Sequence, residues 1–192
     1  SGEIDANSYQ HEPFLQAYNA NNKTDLVVAG KTYLAPLALY SKKIKSASEI
    51  KDGATIAIPN DPSNGGRALQ LLAKQGWIEL KPDVPATKVT KADITKYVKK
   101  IKIVEIEAPQ LPRSLDDTTA SVINAGYAFA ANLTKKDQIV AEDNTSPYVN
   151  IIAVKKGRET DPSIVKYIEI FHTEPVKKFI EDKYKGQVVP AW

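Results

Sequence analysis

Apolar and polar positions along this 192-residue chain follow two rhythms. Unbroken or alternating apolar runs of about four to eight residues predict strands, and apolar spacing of three and four predicts helices. Strands are expected at Asp25–Ala29, in a second extended run Tyr33–Tyr40, and at Thr55–Ile58, Ile101–Ile106, Ala120–Asn124 and Tyr148–Val154. The helical face Phe14, Leu15, Tyr18 follows His11-Glu12-Pro13 and ends within 19–23. Asp161-Pro162 sets a cap and first position ahead of Ile164, Ile168 and Phe171, and a last helix runs from Pro175 to Gly186. Short helical pieces are expected in 48–53, 109–115 and 125–133, and the proline-bearing stretch 77–95 reads as irregular. The opening residues read as a short strand or a helix tail, and Val188–Trp192 as an apolar tail that docks. Strand and helix alternate, which predicts an α/β layer with a mainly parallel sheet.

Within that pattern the stretch Thr55–Leu72 stands at the centre. A buried strand meets Pro59, the turn formers Asn60–Asn64 follow, and Gly65-Gly66 lead into a helix that opens at Arg67. The glycines let the backbone approach something closely. The first amides of such a helix carry the positive end of its dipole and suit an anion. Arg67 adds a planar fork that matches a carboxylate. No G-K-[ST] follows, so a nucleotide is not the favoured anion. A plain helix cap beside a surface arginine explains the same pattern.

Composition narrows the picture. A hydrophobic share of 42% and a charged share of 26% describe an ordinary globular chain. The net charge of +3 is spread over lysine doublets starting at Lys42, Lys99, Lys135, Lys155 and Lys177, which argues against nucleic acid as the main partner. With no cysteine there is no disulfide, thiolate nucleophile or lipid-attachment cysteine in these residues. With no methionine, Ser1 is not a translation start.

Catalytic chemistry finds little support. His11 and His172 lack companions at metal-binding spacing, and no G-x-S-x-G elbow is present. The acidic pairs Asp116-Asp117 and Glu142-Asp143 read as solvated loop carboxylates. Amide side chains recur instead at strand ends: Asn60, Asn64, Asn124 and Asn150. In open α/β sheets that is where ligands bind, and an asparagine there both donates and accepts. Ordinary turn asparagines are the alternative for any one of them.

Several segments together carry a resemblance: I-D-A-N-S-Y-Q-H, K-T-Y-L-A-P-L-A-L-Y-S-K-K-I-K-S, I-P-N-D-P-S-N-G-G-R-A-L, A-P-Q-L-P-R-S-L-D-D, V-I-N-A-G-Y-A, S-P-Y-V-N-I-I-A-V and K-Y-K-G-Q-V-V-P-A-W. With these motifs the chain resembles the NlpA-type methionine-binding lipoproteins, extracytoplasmic receptors of methionine ABC importers. The resemblance implies a type II periplasmic-binding-protein fold, two α/β lobes around a ligand cleft. Lobe one would be 1–44 and 146–192, lobe two 45–145, with hinge crossings near Lys45 and Thr145. It implies that Arg67 pairs with the amino acid's carboxylate, that Asn124 and Asn150 bond its polar end, and that Tyr9 and His11 wall the thioether, with Asn64 a further candidate. Tyr9 stands where the family often has phenylalanine. No cofactor, metal or catalytic residue is implied. The partners are methionine or a close analogue and the importer's membrane subunits, and the location is extracytoplasmic, through an N-terminal lipid outside this sequence. The family's first strands of lobe one also lie outside it. The rival readings are a receptor for a short methionine-containing peptide, an enzyme on the same fold, and a sensor or adhesin.

Overall fold

The computed structural model describes residues 2–143 and 146–192. Its elements run β1 (Ala6–Asn7), α1 (Glu12–Asn22), β2 (Leu26–Leu34), β3 (Ala38–Tyr40), β4 (Thr55–Pro59), α2 (Pro62–Lys74), β5 (Ile78–Leu80), β6 (Ile94–Tyr97), β7 (Lys102–Ile106), α3 (Leu111–Ser114), β8 (Ala120–Ile123), α4 (Ala125–Ala130), β9 (Gln138–Ala141), β10 (Val149–Lys155), α5 (Pro162–Phe171), α6 (Glu174–Tyr184) and β11 (Val189–Pro190). The chain divides into two compact units, Ser1–Ala35 with Asn144–Trp192, and Pro36–Asp143.

In the first unit, a four-stranded sheet runs β1-β10-β2-β11, and each pairing is antiparallel. Among the described residues of this unit there is therefore no parallel pairing, unlike the mainly parallel sheet expected from alternation. β10 is apolar from Ile151 to Val154 because both of its faces are covered there. Ile151 and Ala153 pack with Leu15 of α1. Ile152 and Val154, pointing the other way, pack with Ile164 of α5. β2 is one nine-residue strand, not the two runs expected, since β10 pairs across Gly30 and Lys31 with register shifts that absorb the irregular stretch. The C-terminal tail docks as expected. Val189 and Pro190 pair with Leu34 and Tyr33, and Trp192 stacks on His172 at 5.0 Å.

The second unit is built on a five-stranded sheet ordered β7-β4-β8-β3-β9. β7, β4 and β8 are parallel, while β3 and β9 run against them. Ile56 and Ile58 of β4 enter a core with Leu69 and Leu72 of α2, Trp77 and Val89. Ala57 faces the opposite cluster of Tyr40, Leu111, Leu115 and Ile123. The stretch expected to be irregular contains an antiparallel pair, β5 with β6. Because β3 bonds to β8 and β9, residues 36–44 belong to this unit, so the chain crosses near Ala35-Pro36 and not near Lys45. Pro36, with no N–H to give a ladder, sits in the break after β2. The crossing expected near Thr145 lies outside the described residues.

Candidate functional site

Helix α2 begins at Pro62, five residues before the expected opening at Arg67. Asp61 caps it. Its carboxylate accepts from the Asn64 N–H at 3.0 Å, from Ser63 Oγ at 3.0 Å and from Asn64 Nδ2. The anion place that the helix start offers is thus held by the chain's own carboxylate. Gly65 and Gly66 lie inside the helix. A Cβ on Gly66 would stand 2.5 Å from the Val89 carbonyl oxygen, and one on Gly65 3.0 Å from that of Pro59. The close approach expected of these glycines is therefore to the chain's own backbone.

Asn64 and Arg67 sit one helical turn apart on one face of α2. The Arg67 side chain is 3% exposed. Its Nε donates to Glu142 Oε1 at 2.7 Å and its Nη2 donates to Glu142 Oε2. Glu142 directly follows β9. Its backbone N–H donates to the Leu37 carbonyl at 3.0 Å and its Oε2 accepts from the Leu37 N–H at 2.9 Å. Glu142 is therefore a largely buried member of the site and not the solvated loop carboxylate expected. Its neighbour Asp143 fits that expectation, with an exposed ion pair to Lys74 at 2.8 Å. The hydrogen bond to Asp143 raises the Lys74 pKa.

Asn124 occupies the cap position between β8 and α4. Its Nδ2 donates to Asn64 Oδ1 at 2.9 Å. Its Oδ1 is buried and has no hydrogen-bond partner among the described residues. A buried acceptor left in that state costs about 1–3 kcal/mol.

The first unit brings a second group together. His11 caps α1, its Nδ1 accepting from the Phe14 N–H at 3.1 Å. That bond leaves the proton of a neutral ring on Nε2. The buried ring packs edge-on to Tyr148 at 5.0 Å and to Phe14 at 6.2 Å, and Tyr9 packs on Phe14 at 5.9 Å. Asn150 Nδ2 donates to the Tyr9 carbonyl at 3.0 Å, and His11 and Asn150 form a bridge. Tyr9 itself is exposed, while His11 and Asn150 are buried. Tyr148 and Phe14, expected only as a strand residue and a helix-face residue, join this group, and both lie within two or three residues of members that were expected in it.

His172 is structural. Its Nε2 lies 2.8 Å from the Lys31 carbonyl and its ring stacks on Trp192. Among the described residues no cluster of three or more metal-ligating side chains exists, and no helix is long and apolar enough to cross a membrane.

The NlpA lipoprotein family model matches residues 1–192. The chain belongs to the NlpA lipoprotein family. This NlpA lipoprotein is 43% identical over 192 residues to the probable D-methionine-binding lipoprotein MetQ of Vibrio cholerae, a match covering 100% of the chain and 71% of that relative. A nutrient-binding protein from Burkholderia cenocepacia, bound to methionine, superposes with a TM-score of 0.96 at 44% identity, covering 100% of this chain and 80% of that one. The substrate-binding protein of a methionine transporter from Streptococcus pneumoniae gives a TM-score of 0.90 at 38% identity, covering 100% and 77%. The fold is thus the α/β periplasmic-binding-protein type that the motifs implied. The family is one of substrate-binding lipoproteins and not of enzymes.

Proposed function

We propose that this NlpA lipoprotein binds methionine and delivers it to the membrane subunits of an ABC importer, held outside the cytoplasm by an N-terminal lipid. The observation that carries the reading is the buried polar cluster of the second unit. It offers a guanidinium one helical turn from Asn64, which in turn is bonded to Asn124, whose carbonyl oxygen lacks a donor among the described residues. A ligand fitted to it brings both an anionic acceptor and a strong donor, as an amino acid's carboxylate and ammonium do. Arg67 takes the carboxylate, and Asn124 and Asn64 the neighbouring polar atoms. Tyr9 and His11 meet the thioether, for which ring edges are favourable partners, and Asn150 holds the Tyr9 backbone in place while adding a polar contact. Nucleic acid has no place in this scheme, since the lysines are dispersed.

Native mass spectrometry of the purified protein, followed by calorimetry with each methionine enantiomer, tests the reading. A bound species of methionine's mass, and saturable heat with at least one enantiomer, are expected. No binding of either at millimolar concentration overturns it.

A further inference from the structure

We propose that Glu142 determines specificity at the methionine site: it cancels the charge of Arg67, so the cluster accepts a zwitterionic amino acid and rejects the same molecule without its ammonium group. The inference rests on the methionine-binding reading above. A buried guanidinium with no carboxylate of its own would demand an anion, and any monocarboxylate of the right shape would serve. Glu142 removes that demand by engaging one edge of the fork through Nε and Nη2. With the pair neutral, a bare carboxylate brings an uncompensated negative charge into a poorly solvated cluster. A zwitterion brings none.

The placement of Glu142 supports a role beyond neutralisation. Both backbone polar groups of Leu37 clamp it, one to its N–H and one to its Oε2, so the carboxylate is fixed by the residue just before β3. A carboxylate has about four acceptor positions, and the bonds from Nε, Nη2 and Leu37 use three. The remaining capacity suits an ammonium group, and Asn124 Oδ1, joined to α2 through Asn64, is a second buried acceptor in the unit. Asp61, the other carboxylate nearby, is engaged by the helix cap.

The test is calorimetric titration of the wild type, Glu142→Gln and Glu142→Asp with methionine and with deaminated methionine (methylthiobutanoate). The wild type should prefer methionine by about a hundredfold or more, as sites with buried polar groups reject analogues that leave those groups unpaired. In Glu142→Gln that ratio should shrink by about tenfold or more, because the unbalanced guanidinium now welcomes the monocarboxylate. Glu142→Asp, which keeps the charge, should retain most of the preference. A folded Glu142→Gln with the wild-type ratio overturns the proposal. So does a wild type that binds both compounds equally. If Glu142→Gln does not fold, the wild type is titrated with the 2-hydroxy analogue of methionine, which keeps a donor but not the positive charge: rejection as strong as that of methylthiobutanoate supports the charge balance, and affinity equal to methionine's overturns it. A wild type that binds neither compound removes the methionine reading itself, which separates the two failures.

Discussion

The two units present different chemistry from similar materials. In the second, the candidate residues are buried and charged: Arg67 and Glu142 pair, Asn64 and Asn124 bond each other, and α2 carries two of the four. In the first, they are neutral and aromatic, with Tyr9, His11, Phe14 and Tyr148 edge to face and Asn150 tying a strand to the Tyr9 backbone. Their surroundings differ too. The second unit's group grows from a helix buried over most of its length against a large core. The first unit's sheet is covered by single helices on each face, and Ile4, Tyr9, Tyr167, Ile170 and Phe179 are exposed. A charged end is best held by rigid, preorganised groups, because misplaced donors forfeit most of their value. An apolar end tolerates adaptation, since soft contacts are broad in geometry. On the methionine-binding proposal, the second unit's group suits the charged end of a ligand and the first unit's group suits apolar contact.

Arg67→Ala should break that assignment most sharply. It removes a charge-assisted contact and strands Glu142, so methionine binding should weaken by about 2–4 kcal/mol, roughly a hundredfold or more. Calorimetry showing unchanged affinity would place the carboxylate elsewhere.

The rigidity half of the comparison can be probed at glycines. Gly66→Ala should destabilise the protein by about 1–3 kcal/mol despite the gain in helix propensity, since its Cβ meets a backbone oxygen that cannot swing aside. Gly30→Ala in the first unit meets the Ile168 side chain at 3.1 Å, which can shift, and should cost less. Thermal melts rank the two, and the reverse order would contradict the contrast in packing.

His11 separates cap from pocket. His11→Ala loses the bond to the Phe14 N–H and should melt as about 1 kcal/mol less stable than His11→Asn, which retains an N-cap acceptor. Both should weaken methionine binding, because both lose the ring. Equal stability would mean that the cap contributes nothing.

Acid should act on the second unit's turns. Asp93 is held below its ordinary value by the Thr90 side chain and backbone, Asp137 by the Thr134 backbone and hydroxyl, and Glu49 by the Lys45 backbone. A depressed carboxylate contributes stability above its unfolded pKa and loses it as pH falls through the folded value, so these turns should loosen below about pH 4. In the first unit Arg158 and Lys178 are raised by their acidic partners, and a raised base loses its contribution only as pH rises, far from the acid range. Amide protection, taken relative to the intrinsic exchange rate at each pH, should therefore fall first at 45–49, 90–93 and 134–137. Simultaneous loss across both units would erase the distinction.

What the sequence made legible was local. The apolar run of β10 and the Asp161-Pro162 start of α5 each lie within a few residues, and both formed where expected. β5, β6 and β9 are short and partly exposed, and hydrogen bonds to distant partners hold them, so no local pattern marks them. The glycines of α2 announced a close approach, but the partner, Val89, is set by tertiary packing. The strand-end asparagines were visible one by one, while their bond to each other was not. Glu142 lies 75 residues from Arg67 and looks like any loop acid until β9 takes its place beside β3.

The central claim is that the polar cluster of the second unit holds methionine. Hydrogen exchange read by peptide mass, with and without saturating methionine, addresses it most directly. Segments 61–67 and 120–128 in the second unit, and 9–14 and 148–151 in the first, should all slow on adding methionine, the second unit's more strongly. Methionine that binds but leaves 61–67 and 120–128 unslowed would contradict the account.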